Sequence, residues 1–276
     1  MPRPSAQSNL QTYDAPEVAA HYASLHYLTP GEQLLFESYI HDGANVLDLG
    51  VGGGRTTSYL AKKAGHYVGV DYAAAMVQAC QRKFPGLKFI VSDASDLSMF
   101  ADAEFDAVVF AFNGIDYVFP EDSRVACLRH VHRILKHQGV FIFSTHNPKA
   151  VLVRKSINQE RMRRLARLSS GGAEWLEKIL RVSLAGAGFV WSVVQSALAT
   201  LPRFWKRIFT RAFWSGEGEF VDSSHGGLLT HSWTPGYLVD QMNALHFRFE
   251  RVLANDYPRP VHQYATDWYY YVFAKR

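Results

Sequence analysis

Asn45-Val46-Leu47-Asp48-Leu49-Gly50-Val51-Gly52-Gly53-Gly54-Arg55 is the stretch on which the fold turns. Its first five residues form a short apolar run, the pattern of a strand buried on both faces, and glycines follow at once. Glycine lets a backbone approach a ligand closely and adopt positive φ. The residues after Gly54 read as a helix, whose N-terminus would present unpaired N–H groups to that ligand. Working outward, 67–71 reads as a second strand and 73–84 as a second helix, stopped by Pro85-Gly86. Residues 87–91 and 105–112 read as further strands. A helix over 122–136 follows, with apolar positions at 125, 128, 131, 134 and 135, and 139–144 is a fifth strand. Strands alternating with helices predict a parallel sheet with both faces covered and right-handed crossovers. Upstream, 16–41 reads as helical, interrupted near Thr29-Pro30-Gly31. Downstream, a helix from Thr234-Pro235 to about 245 precedes strands at 247–253 and 268–274.

In such a sheet a ligand sits at the carboxyl ends of the strands, at the switch point after the first one. Asp71 ends the second strand 21 residues after Gly50, where a carboxylate can accept both hydroxyls of a ribose. A glycine cluster alone could be no more than a tight turn. Here it follows a strand, opens a helix and has an acid at the right distance, which points to a nucleotide-like ligand. The dinucleotide pattern would need glycine at position 55, where Arg55 stands. Asp48 at a helix N-terminus would repel a pyrophosphate and attract an ammonium group, so the ligand is expected to carry a cationic amine near the loop. Both features disfavour a nicotinamide enzyme.

Asp48-x-Gly50-x-Gly52-x-Gly54 resembles the first motif of class I S-adenosylmethionine-dependent methyltransferases, and further motifs follow in order. Asp71 with Tyr72 resembles the acidic second motif that holds the ribose, and Met76 the residue packing on adenine. Ser92-Asp93-Ala94 resembles the third motif, whose acid contacts the adenine amine. Phe105-Asp106 into Phe112-Asn113 resembles the fourth, beside the methionine part of the cofactor. Leu135-Lys136-x-x-Gly139 resembles the final core motif. The resemblance covers about 20–147 and 233–276. It implies a Rossmann-like α/β fold, a doubly wound seven-stranded sheet, mostly parallel with a last antiparallel strand, and S-adenosylmethionine as cofactor. The implied cofactor-binding set is Tyr22, Asp48, Gly50, Gly52, Asp71, Tyr72, Met76, Asp93, Ala94, Phe112 and Asn113, with Tyr22 on an N-terminal helix that closes over the cofactor in many relatives. Plain structural roles stay open for several of these: a loop cap for Asp93, core packing for Phe112, Met76 and Tyr22. Asp106 reads as a cap or pair at the strand edge.

The sulfonium methyl is already activated, so the protein mainly aligns the acceptor and excludes water. A hydroxyl acceptor would be helped by a general base. His146, just past the fifth strand, is the best placed, with His225 and His231 as alternatives; an exposed loop histidine is the competing reading. No Asn/Asp-Pro-Pro-Tyr/Phe follows the fourth strand, where Asn113-Gly114-Ile115-Asp116 stands instead. That argues for a small-molecule or lipid-like acceptor over DNA or protein.

Composition bounds the rest. The chain has 276 residues, 48% hydrophobic and 20% charged, an ordinary globular balance that excludes disorder and collagen-like repeats. Two cysteines, with no Cys-x-x-Cys metal spacing, fit a reducing compartment such as the cytoplasm, and no metal site is expected. The polar start of the chain has no apolar core of signal-peptide length, which argues against export by that route. The net charge of +4 hides a division. Between Val151 and Trp214 stand 12 Lys/Arg and 3 Asp/Glu, a balance of +9, leaving −5 for the remainder. The same segment holds four of the six tryptophans and 21 uncharged residues in a row, 182–202.

The expected organisation is therefore a cofactor-binding core over 1–147 and 233–276, interrupted by a basic, hydrophobic, helical insert over 148–232. About 20 apolar residues could span a bilayer. A single crossing would separate the last strands from the sheet they must rejoin. Two readings of the insert stand: a lid over the acceptor pocket, or a lid docked on an anionic membrane surface through its basic and aromatic residues. A nucleic-acid face is disfavoured by the uncharged run. Against a methyltransferase stands a second class, a non-catalytic, nucleotide-binding, membrane-associated adaptor.

Overall fold

The computed structural model describes residues 5–152, 191, 194–222 and 227–276. Its centre is a seven-stranded sheet in the order β3-β2-β1-β4-β5-β9-β8. The strands are β1 (Asn45–Leu49), β2 (His66–Asp71), β3 (Lys88–Val91), β4 (Phe105–Phe110), β5 (Leu135–His146), β8 (Phe247–Ala254) and β9 (Trp268–Lys275). β1 pairs in parallel with both β2 and β4, while β9 runs antiparallel between β5 and β8. The chain leaves β1 toward β2 on one side and later returns to β4 on the other. The glycine loop thus lies at the switch point.

Alternation along the strands builds two cores. Leu47 and Leu49 of β1 face a layer with Leu128 and Val131 of α6 (Glu121–Ile134) and Leu238 and Met242 of the helix Pro235–Ala244. Val46 faces the other layer, with Leu35 and Phe36 of α3 (Pro30–Tyr39), Leu60 of α4 (Thr57–Lys63) and Val77 of α5 (Ala74–Lys83). Asp48 points into this second layer and is almost fully buried. Asp106 pairs at the strand edge with Lys136, 2.7 Å away.

Several boundaries differ from the sequence expectation. β4 stops at Phe110, because Phe112 and Asn113 are both left-handed (φ 56° and 63°) and turn the chain out of the sheet into a 3-10 turn, Gly114–Tyr117. β5 begins at Leu135, since a register shift opposite Phe105–Ala107 lets four further residues join. The helical run at the N-terminus is α2 (Pro16–Ala23) and α3, and an unexpected α1 (Ala6–Tyr13) precedes them. A capping box between Ser5 and Ser8 starts α1.

Within the insert, much of the 182–202 run and its preceding Arg/Lys cluster lie outside the described residues, as does His225. The described part is helical over 194–208 and over Arg211–Ser215. It then forms an antiparallel pair, β6 (Glu217–Asp222) with β7 (Leu228–Trp233), where helix was expected. Residues such as Phe220, Val221, Thr230 and Trp233 suit a half-buried pleated surface better than a helix. Among the described residues no helix is long and apolar enough to cross a membrane.

Candidate functional site

The glycine loop is held from below and from the side. A Cβ at Gly53 would lie 2.2 Å from the backbone N of Ala23, so only glycine lets α2 pack on the loop. Gly52 has φ of 55°, and a Cβ there would meet nothing nearer than Tyr22 at 4.0 Å. It therefore faces open space. Its N–H donates to Asp71 Oδ2 at 2.8 Å, and Ala73 N–H donates to Oδ1 at 3.0 Å. Asp71 thus ties the first loop to the second. Burial pushes its carboxyl up to about 6, against the lowering effect of those N–H donors.

Above the loop lies a cavity of about 350 Å³. Its wall includes Gly50, Gly52, Asp71, Tyr72, Met76, Asp93 and Ala94, together with Tyr13, Tyr22, Phe112, Tyr117 and Phe119. Tyr13 sits amid the tyrosines, with ring centroids 5.9 Å from Tyr22, 6.2 Å from Tyr72 and 5.6 Å from Tyr117. Among the described residues Arg55 is the only cation in the wall, and its guanidinium is bidentate on buried Glu32 at 2.5 and 2.7 Å. Two carboxylates, many rings and a neutralised arginine make a wall that suits a cationic, aromatic ligand and repels a phosphate.

Asp48 and Asn113 do not line this cavity, and neither does His146. Asp48 lies beneath the loop, where Oδ2 accepts from Thr56 Oγ1 and the Tyr67 hydroxyl, each at 2.8 Å. Its Oδ1 is buried with no hydrogen-bond partner. Burial raises its carboxyl to about 6, with Thr56 and Tyr67 pulling the other way. The ammonium expected beside Asp48 would therefore be reached by its field and not by contact. Asp93 reaches the cavity and also caps a turn, accepting from Ser95 N and Oγ at 2.7 Å.

His146 stands behind the cavity wall. Its Nδ1 lies 2.7 Å from Asp116 Oδ2, and its backbone N–H donates to the same oxygen. Thr145 Oγ1 donates to Asp116 Oδ1 at 2.5 Å. Asn113 Nδ2 is 3.3 Å from His146 Nε2. Tyr117 and Phe220 present their rings edge-on to the imidazole at 6.5 and 5.6 Å. His231, the alternative base, is buried in β7 against Glu217 and Trp233; burial pushes its imidazole down to about 3.

Sequence reasoning did not single out Tyr13, Tyr117, Phe119 or Asp116. Tyr13 belongs to a helix announced only by the Ser5–Ser8 cap. Asp116 is 30 residues from His146 in the chain and meets it only because β4 and β5 are neighbours.

Residues 46–139 match the methyltransferase domain family model. The chain is 32% identical over 117 residues to the demethylmenaquinone methyltransferase of Clavibacter sepedonicus, covering 41% of this chain and 46% of that one. It is 37% identical over 106 residues to the enzyme of the same name from Beutenbergia cavernae, covering 37% and 42%. The chain thus spans a little under half the length of these curated relatives. Among solved structures, the Burkholderia thailandensis 1,6-didemethyltoxoflavin-N1-methyltransferase, with 1,6-didemethyltoxoflavin and S-adenosylhomocysteine bound, superposes with a TM-score of 0.55 at 15% identity. That match covers 100% of this chain and 92% of that one and speaks for the fold.

Proposed function

We propose, for a chain whose residues 46–139 belong to the methyltransferase domain family, that it transfers a methyl group from S-adenosylmethionine to a small-molecule or lipid-linked acceptor. The observation that carries this is the composition of the cavity wall. Asp71 and Asp93 line it together with several tyrosines, and Arg55 is neutralised by Glu32. A ligand with a ribose, an adenine ring and a positively charged aminoacyl-sulfonium tail fits such a wall. Asp71 has lone pairs left for ribose hydroxyls after accepting two N–H bonds. Met76 and Ala94 would flank the adenine, Asp93 would accept from its amine, and open Gly52 would leave room for the tail. S-adenosylmethionine supplies a methyl that is already activated. The protein's own part is to align the acceptor, exclude water with Tyr13, Tyr22 and Tyr117, and accept a proton at His146 where the acceptor carries one.

Relatives with the printed name demethylmenaquinone methyltransferase favour a lipid-linked acceptor. So does a stripe on the described insert. Trp191, Val194, Leu198, Leu201, Trp205 and Phe209 recur at three- and four-residue spacing and are all exposed. Lys206 and Arg211 flank them, with no acid from 194 to 216. This pattern suits the anionic inner face of a membrane, reached from the cytoplasm. The non-catalytic adaptor differs in one respect only, the absence of turnover.

Calorimetry tests the site. Asp71→Ala is expected to weaken S-adenosylmethionine binding at least about tenfold, the value of one lost charge-assisted bond or more. Unchanged affinity would remove the assignment. Mass spectrometry of cell extract incubated with labelled S-adenosylmethionine then separates transferase from adaptor.

A further inference from the structure

We propose that Asp116 is a positioning residue that holds His146 with Nδ1 protonated and Nε2 bare, and that the acceptor is accordingly a molecule with an ionisable hydroxyl, of phenolic or enolic kind. The inference rests on the methyl-transfer reading.

A carboxylate oxygen can only accept, so an imidazole Nδ1 at 2.7 Å from Asp116 Oδ2 must donate. In the neutral ring this leaves the lone pair on Nε2. Nε2 faces Asn113 Nδ2, a donor at the long distance of 3.3 Å. Asn113 is itself fixed, left-handed, with its N–H on Ser144 Oγ at 2.8 Å, and its Oδ1 is buried without a partner. The residues on either side of it, Phe112 and Gly114, line the cavity, as does Tyr117. The Asn113 amide meets the imidazole lone pair only through that long contact, and its own Oδ1 has no partner. A hydroxyl entering from the cavity can replace the long contact at Nε2.

If Asp116 served only to pin the end of β5, Thr145 Oγ1 and the His146 backbone N–H would suffice. The third bond, to the ring, has no such use. Arg207 adds a further hint. Its guanidinium lies 3.6 Å from the centroid of Phe220, whose ring meets His146, and its Nη1 is buried with no hydrogen-bond partner. It is a donor available to an oxygen that becomes negative. Among the described residues, Asp116 acts on the charged Arg124 and Arg207, and Asp222 acts on Tyr117 and Arg207.

In the step itself the acceptor oxygen bonds to the methyl carbon as the carbon–sulfur bond breaks and leaves its electron pair on sulfur. The hydroxyl proton passes to Nε2. Asp116 stabilises the imidazolium, which then releases that proton to solvent.

Long-range ¹H–¹⁵N correlation on the full chain with labelled histidine reads the tautomer directly, with His146→Gln assigning the signal. The expected result is Nδ1–H; an Nε2–H ring overturns the proposal without any variant of Asp116. In the second arm, labelled methyl transfer from S-adenosylmethionine to cell extract is followed across pH. The wild-type rate should rise with pH. Asp116→Asn should lower the rate at least about tenfold with S-adenosylmethionine affinity within twofold, and Asp116→Glu should recover part of it. A wild-type rate and pH profile in Asp116→Asn, or a labelled product methylated at a tertiary amine or thioether, overturns the proposal. Failure to bind S-adenosylmethionine at all would instead sink the methyl-transfer reading first, and is seen separately by calorimetry.

Discussion

Asp48 shows how one residue can be legible in the sequence and still be misplaced by it. Its position two residues before Gly50 marks the loop, but not that Thr56 and Tyr67 close over one of its oxygens and bury the other unpartnered. Spacing along a chain encodes local geometry; which way a strand residue points depends on the layer packed against it. The consequence is measurable. A carboxyl raised from 3.8 to about 6 binds protons more readily in the folded state than in the unfolded one. The penalty is absent below about pH 4, grows as pH rises toward 6, and is complete above it. The two-unit shift corresponds to at most about 3 kcal/mol. Asp48→Asn keeps an oxygen for Thr56 and Tyr67 and removes the charge. It should stabilise the ligand-free protein by about 1–3 kcal/mol at pH 7.5, with the gain vanishing near pH 4, as read by chemical denaturation at both values. Its affinity for S-adenosylmethionine should fall, because the field favouring a cationic tail goes with the charge. A variant less stable at pH 7.5 than the parent would contradict the account. Asp116 and His146 mark the limit of what residue spacing can reveal, since only pairing of β4 with β5 brings them together.

At the level of elements, the strands and helices of the sheet were readable because their apolar periods are long and regular. What closes the cavity was not. α1 is a polar helix, and its packing depends on Asn9, a buried residue that nothing in the local pattern marks. Asn9 Nδ2 donates to Leu229 O at 2.7 Å and Oδ1 accepts from Leu229 N at 3.1 Å. The side chain thus behaves as one more peptide group on the edge of β7. At the other end, Asp14 accepts from Ala75 N at 2.8 Å. α1 therefore bridges β7 and the start of α5, and carries Ala6, Leu10 and Tyr13 to the cavity. Asn9→Ala removes both bonds and leaves a strand N–H and C=O unpaired, at a cost of about 1–3 kcal/mol. Because Asn9 is the one fully buried residue of α1, that loss should appear as local opening: faster amide exchange over 6–13 and about tenfold faster dissociation of S-adenosylhomocysteine, with the global melting temperature changed by only a few degrees. Unchanged exchange in α1 would show that Asn9 does not anchor it.

For the whole molecule, the net charge of +4 averages two stretches of opposite balance. The sheet domain is mildly acidic and its cavity wall carries carboxylates, which suits a cationic cofactor. The insert is basic, and the described part of it exposes Trp205, Phe209 and Trp214 together with Lys206 and Arg211. The division by charge could be read from the sequence, because it needs only counting; the strand pair at its end could not, because short strands of mixed polarity carry little periodic signal. The helix over 194–208 also supplies Arg203, which pairs with Asp267 near the last strand of the sheet, and Arg207, which lies over Phe220. One face of this helix thus packs toward Phe220 and Asp267 while the other is exposed. Lys206 and Arg211 at about 1 kcal/mol each near an anionic bilayer predict a preference of roughly thirtyfold for phosphatidylglycerol-containing vesicles over phosphatidylcholine alone, lost at high salt. Trp205→Ala with Phe209→Ala should reduce sedimentation with those vesicles about tenfold or more and leave S-adenosylmethionine affinity unchanged, since neither ring lines the cavity. If the full chain does not sediment with anionic vesicles, the membrane reading fails and the segment acts as a lid alone.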